Sequence, residues 1–167
     1  MTVYTSASAN KQLRQLQDEK DRLLALENQR STYTRTADEP SEPPLYSYTK
    51  TSADIERIDA QTRTLRHALH VFNATYVLPK AGITLDEALI LLAQLNNTKA
   101  RLAIMRNRAP KERLGALLRS GEEVEYRFAN YDIAQTEADY EDVIQKIAEL
   151  QLEIDLTNQT QTFEVGM

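Results

Sequence analysis

No cysteine occurs anywhere in the chain, which removes disulfide bonds, thiolate nucleophiles and cysteine-bound zinc together and suits a reducing compartment. Tryptophan is also missing, and aromatic residues make up only 7% of the 167 residues. Four glycines and five prolines are too few for the frequent turns of a sandwich or barrel, so long helices are favoured over an all-β fold. The most extended apolar stretch, Ala88 to Ala93, falls well short of the roughly 20 residues that a membrane-spanning helix needs. The opening MTVYTSASANKQ has neither a basic start nor an apolar segment after it, so no signal peptide is read there. A cytoplasmic protein is the expectation. Net charge is −5 and the sequence pI about 5.1, a balance that repels nucleic acid and anionic lipid; no nucleic-acid partner is expected.

What the chain does contain is heptad spacing. Ile55, Ile58, Thr62, Leu65, Leu69, Phe72 and Tyr76 alternate by three and four, one narrow seam along a helix of roughly 23 residues, about 35 Å long. Ser52 is read as its N-cap, without the acidic partner of a capping box. Tyr140, Val143, Ile147, Leu150, Ile154 and Thr157 repeat the alternation, and Ile144 and Leu152 widen that stripe toward a second neighbour. Between these segments Thr84 and Glu87 are spaced as a capping box, and Asp86 adds negative charge at the positive end of the helix dipole. Leu85, Ala88, Leu89, Leu92, Leu95, Leu102 and Met105 follow. This is the most apolar of the helices, which predicts a central position. A first, weaker seam runs through Leu13, Leu16, Leu23 and Leu24, interrupted by Lys20 and Glu27.

Four helices are therefore expected, at about 8–30, 52–75, 84–107 and 133–158. All five prolines, Pro40, Pro43, Pro44, Pro79 and Pro110, fall between them, as continuous helices require. The Pro- and acid-rich stretch 31–51, containing ADEPSEPPLYSY, reads as a solvated crossover: its prolines limit the unfolded chain and resist helix. Residues 122–131 differ. Val124, Tyr126 and Phe128 alternate with Glu123, Glu125 and Arg127, the period of a half-buried strand. A strand needs a partner; TFEV near the C-terminus, LYSYT in the crossover, or the same segment of a second copy are the candidates. The fold class that results is mainly α: long antiparallel helices in a coiled-coil-like four-helix bundle with a short β element, read as one domain over 1–167.

Chemistry is harder to find. His67 and His70 sit at i and i+3 on one helix, where a metal could bridge them, but no HExxH or repeated Glu-x-x-His accompanies them, and a solvated pair is the plainer reading. Seven basic residues between Lys99 and Arg119 resemble a phosphate patch. The acids Glu137, Asp139, Glu141 and Asp142 open the last helix. If that helix folds back antiparallel on the third, opposite charges meet inside one hairpin and both clusters are explained. No aromatic platform for nucleic acid is apparent among the basic residues. The Asn-x-Thr triplets at Asn73, Asn96 and Asn158 are chance matches in the absence of a secretory signal, and Asn73 is expected to help end a helix. No nucleophile elbow, P-loop or dinucleotide fingerprint is present. No enzyme activity, cofactor or metal is expected.

The order of short motifs carries a resemblance. A helix, the linker ADEPSEP, a second helix ending in FNAT, GITLDEAL opening a third, the strand-like EVEYRF, and a final helix closing in LEIDLTNQT resemble a family of small uncharacterised bacterial proteins often labelled septicolysin. The similarity runs from about Lys11 to Val165. Gln159 stands where an aromatic would be expected after Asn158, and LLAQLN replaces a more charged centre in the third helix. The resemblance implies a helical coiled-coil fold and transfers no catalytic residue. Its toxin-like label implies a second reading, a membrane-active or stress-related protein that opens its helices at a lipid surface. The first reading from the residues is a scaffold or interaction protein that associates with itself or an unknown protein partner. Leu45, Tyr46, Tyr48, Leu13, Leu16, Leu23, Tyr126 and Phe128 are its candidate contact residues.

Overall fold

The computed structural model describes residues 1–37, 42–114 and 124–166. It is mainly helical, with short antiparallel strands: β1 (Thr2–Thr5), α1 (Ser6–Arg30), α2 (Tyr48–Thr75), α3 (Leu85–Arg106), β2 (Lys111–Arg113), β3 (Tyr126–Phe128), α4 (Ile133–Thr160) and β4 (Thr162–Val165). Two compact units divide the chain: Met1–Tyr76 with the residues from Leu156 onward, and Val77–Asp155. The boundary falls inside α4.

In the first unit, β1 pairs antiparallel with β4 in the register Thr2↔Val165, Tyr4↔Phe163. The strand leads straight into α1 because Thr5 caps the helix: its Oγ1 accepts from Ser8 N–H at 3.1 Å while Ser8 Oγ accepts from Thr5 N–H at 2.9 Å. This reciprocal Thr-x-x-Ser box starts the helix at Ser6 rather than residue 8. α1 and α2 pack antiparallel, and the Ile55–Tyr76 seam faces inward as its spacing predicts, with Ile58, Leu65, Leu69 and Phe72 buried. Ala9, Leu65 and Val165 form the core of the unit, with Tyr4, Leu13, Ala68 and Phe163 against it. Phe72 stacks on Phe163 at 5.0 Å between centroids and meets Tyr76 at 5.2 Å.

The two polar interruptions of the α1 seam are both matched across it. Lys20 Nζ donates to both carboxylate oxygens of Asp59, at 2.7 and 2.8 Å, and Glu27 accepts from the Tyr46 hydroxyl at 2.5 Å. A periodicity count scores such residues as defects; here they are cross-links between neighbours. Leu24, by contrast, points outward.

The cap of α2 is Ser47, whose side chain accepts from Lys50 N–H, and not Ser52, which lies inside the helix. The last four residues of the expected crossover thus belong to α2. Asp38, Glu39, Pro40 and Ser41 lie outside the described residues. Asn73 does not end the helix: α2 continues to Thr75 and stops where Tyr76 turns extended, three residues before Pro79.

The second unit opens with a tight reversal in which Leu78 and Ile83 are joined N–H to carbonyl at 2.9 Å and Val77 bridges Thr84. Gly82 supplies the left-handed conformation the reversal needs, at φ +68°. The expected Thr84–Glu87 capping box is present: Thr84 Oγ1 accepts from Glu87 N–H, and the Glu87 carboxylate accepts from Thr84 N–H. α3 and α4 run antiparallel and meet through Leu102, Val143 and Ile147, with Leu92, Leu95 and Tyr140 around them. The α4 seam is buried at Val143, Ile147, Leu150 and Ile154, but Leu152 does not widen it inward; it is 67% exposed.

Two further expectations are corrected here. α3 is not buried all round: it covers only Leu85, Ala88 and Leu102 fully, while Leu89, Ile90, Leu91 and Ile104 face water. Within the chain the strand at Tyr126–Phe128 pairs with neither TFEV nor LYSYT but with β2, Lys111↔Phe128 and Arg113↔Tyr126, in an exposed ribbon and not a half-buried one. TFEV is already taken by β1. Residues 115–123, which include Arg119, Glu122 and Glu123, lie outside the described residues.

Candidate functional site

The charged ends of α3 and α4 come together as their order predicts. Arg106 donates to Glu137 at 2.8 Å, lies 3.6 Å from Glu141, and covers the Tyr140 ring at 3.8 Å from its centroid. Part of the basic stretch is therefore occupied by acids of its own hairpin. His67 and His70 are both exposed on α2, and no group of three metal-ligating side chains occurs among the described residues. Among those residues, no helix is long and apolar enough to cross a membrane.

The contact residues expected from sequence are scattered. Leu13 is half-buried against the core of the first unit, Leu16 is only 4% exposed, and Leu23 is half-buried on α1. Tyr46 is held by Glu27, and Arg30 reaches the Leu45 carbonyl at 3.4 Å, so the crossover is fastened to the end of α1 by both residues. The Leu45 side chain itself projects into solvent at 91% exposure, and Tyr48 is exposed in the first turn of α2. The negative charge of Glu27 and the hydrogen bond it accepts push the Tyr46 phenol up to about 12.

Tyr126 and Phe128 stand on the exposed ribbon with Lys111 lying over both rings, 4.0 Å and 5.5 Å from their centroids. On the opposite face Glu112 and Arg127 pair at 3.7 Å. The ribbon thus brings together two rings and basic residues that are separate in the linear sequence.

The surface that sequence reading missed belongs to the second unit. A groove of about 690 Å³ runs between α3 and α4, floored by Ile83, Leu91, Leu95, Leu150 and Leu152 and edged by Lys80, Lys146 and Glu149. At its end Glu153, nearly buried, accepts from the backbone N–H groups of Lys80 at 2.6 Å and Ala81 at 3.1 Å. That carboxylate pins the reversal before α3 to α4. Around the outside of α3, Ile90 is 54% and Ile104 64% exposed. The signal for this face was present: Ile90 and Ile104 do not fall on the Leu85–Leu102 seam, so a helix apolar on both sides was legible, but its uncovered side was not.

No protein-family profile matches the chain, and no curated protein is similar to it in sequence. In fold it is similar to a solved structure described as a functionally unknown conserved protein from Corynebacterium diphtheriae, with a TM-score of 0.60 over 98% of this chain and 100% of that one, at 15% identity. At that identity the likeness is one of fold alone.

Proposed function

We propose that this chain is a non-enzymatic scaffold or protein-interaction protein, built of long coiled-coil-type helices, that associates with copies of itself. One observation carries the reading: among the described residues, α3 is apolar around more of its circumference than is covered. Leu89, Ile90, Leu91 and Ile104 on α3 and Leu152 on α4 all face solvent in the second unit. Single exposed leucines need no explanation, but several on one helix beside an apolar groove do. Burying a side chain of that size is worth ~1.5–3 kcal/mol, so a neighbour that covered a few of them would gain enough to associate. The resemblance of the motif order to the septicolysin-labelled proteins implies a helical coiled-coil fold and transfers no catalytic residue.

Light scattering across a concentration series tests the proposal. The expected result is a mass above the 19.1 kDa of one chain, rising with concentration and falling as salt-independent apolar contact is weakened by mild denaturant. A mass of one chain at every concentration would overturn it.

A further inference from the structure

On the side of α3 turned away from α4 lies a second stripe, and we infer that two copies of the chain pair antiparallel through it. The inference rests on the self-association proposed above and assigns it a face, a direction and a register. With 3.6 residues per turn, Asp86, Ile90, Ala93, Asn97, Ala100 and Ile104 fall within a band about 80° wide, opposite the seam of Leu85, Ala88, Leu92, Leu95 and Leu102. All six are exposed. Arg108 continues the line two residues past the helix, held in a further turn by its N–H bond to the Met105 carbonyl at 3.2 Å. The steps of four and three from Asp86 to Ile104 are those of a coiled-coil seam.

The stripe reads almost alike from either end: acid, isoleucine, alanine, asparagine, alanine, isoleucine, base. Laid end for end on itself about Asn97, Ile90 meets Ile104 of the second copy, Ala93 meets Ala100 and Asn97 meets Asn97, all within about one residue's rise of 1.5 Å. The alanines let the helices approach closely, and the isoleucines bury one another at both ends. An amide both donates and accepts, so two asparagines at a two-fold axis satisfy each other, and a lone polar residue in such a seam specifies register and direction.

Charge decides the direction. In the antiparallel arrangement Asp86 faces Arg108 of the second copy at both ends; in a parallel one each would face its own kind. Within its own chain neither Asp86 nor Arg108 has an ion pair or side-chain hydrogen bond among the described residues, whereas Arg106 nearby is already taken by Glu137 and Glu141.

Sedimentation velocity on the full chain, with cysteine cross-linking in a protein that has none of its own, tests the inference. Ile104→Glu should weaken the dimer roughly tenfold or more by placing a charge in the contact, with helix content unchanged because Ile104 is exposed. Asp86→Arg and Arg108→Asp should each weaken it, and mixing the two variant chains should restore pairing. Asn97→Cys should cross-link to itself, and Ile90→Cys to Ile104→Cys but not to itself. A wild-type dimer indifferent to Ile104→Glu overturns the inference while leaving self-association standing through another surface. Self-cross-linking of Ile90→Cys, or no recovery in the charge-variant mixture, overturns the antiparallel register. A chain monomeric throughout overturns both this inference and the reading beneath it.

Discussion

The hydroxyl of Tyr46 donates a 2.5 Å hydrogen bond to Glu27 Oε1, fastening the residues just before α2 to the last turn of α1. The bond holds the phenol protonated to unusually high pH, up to about 12. Because the folded value is raised above the ordinary 10.0, the contribution of this bond is fully present below pH 10 and is lost as pH rises through the folded value. A spectrophotometric titration at the phenolate band should show a step above pH 10 that Tyr46→Phe removes.

Glu153 is the single side chain that holds both N–H groups at the turn of Lys80 and Ala81. Glu153→Ala removes the nearly buried carboxylate that both N–H groups share, on turn residues that are themselves exposed, a loss of about 1–2 kcal/mol. Glu149, on the exposed rim of the same helix, should tolerate the same change within about 0.5 kcal/mol. Urea denaturation of the two variants separates a structural clamp from a surface charge.

Gly82 adopts φ +68°, and a Cβ built there would meet nothing within 4 Å. Gly82→Ala should therefore cost only the backbone penalty of the left-handed region, about 1–2 kcal/mol, with no packing term. Gly82→Asn should cost less, since asparagine visits that region more readily. A loss well above that range would mean that the turn had shifted.

Phe72 joins the α2 seam to the C-terminal strand, lying between Tyr76 and Phe163. Phe72→Ala should lower stability by about 3–5 kcal/mol through lost burial and the cavity left behind. Leu152→Ala, on an exposed side chain of α4, should change the monomer little. Thermal unfolding followed by circular dichroism compares the two directly.

The start of α3 carries an acid-sensitive contact. Two hydrogen bonds from Thr84, led by its backbone N–H, hold the Glu87 carboxyl below its usual range. A lowered folded value gives a contribution that is present above the ordinary carboxylate range and lost as pH falls through the folded value. Glu87→Gln should flatten that part of the acid-unfolding curve, and Thr84→Ala should cost about 1 kcal/mol as a lost cap.

The heptad seams of α2 and α4, the cap at Thr84 and the meeting of Arg106 with Glu137 could be read from the linear order, because each depends on residues three or four apart or on the ends of adjacent helices. Lys20 and Glu27 looked like faults in α1 because their partners, Asp59 and Tyr46, come from another part of the chain. β2, with its Lys-Glu-Arg sequence, has no strand composition at all; it is extended because β3 supplies its hydrogen-bonding partners.

Local periodicity told which segments are helical, which stripe of each is apolar and where charge accumulates, since these follow from backbone geometry and side-chain chemistry a few residues apart. Which stripe is covered, which strand finds a mate and which polar residue finds a partner were settled by contacts between segments up to the full length of the chain apart, as between Thr2 and Val165. Burial is a property of neighbours. The α3 sequence announced its apolar residues, and only the packing of α4 against one side of it left Ile90 and Ile104 facing outward.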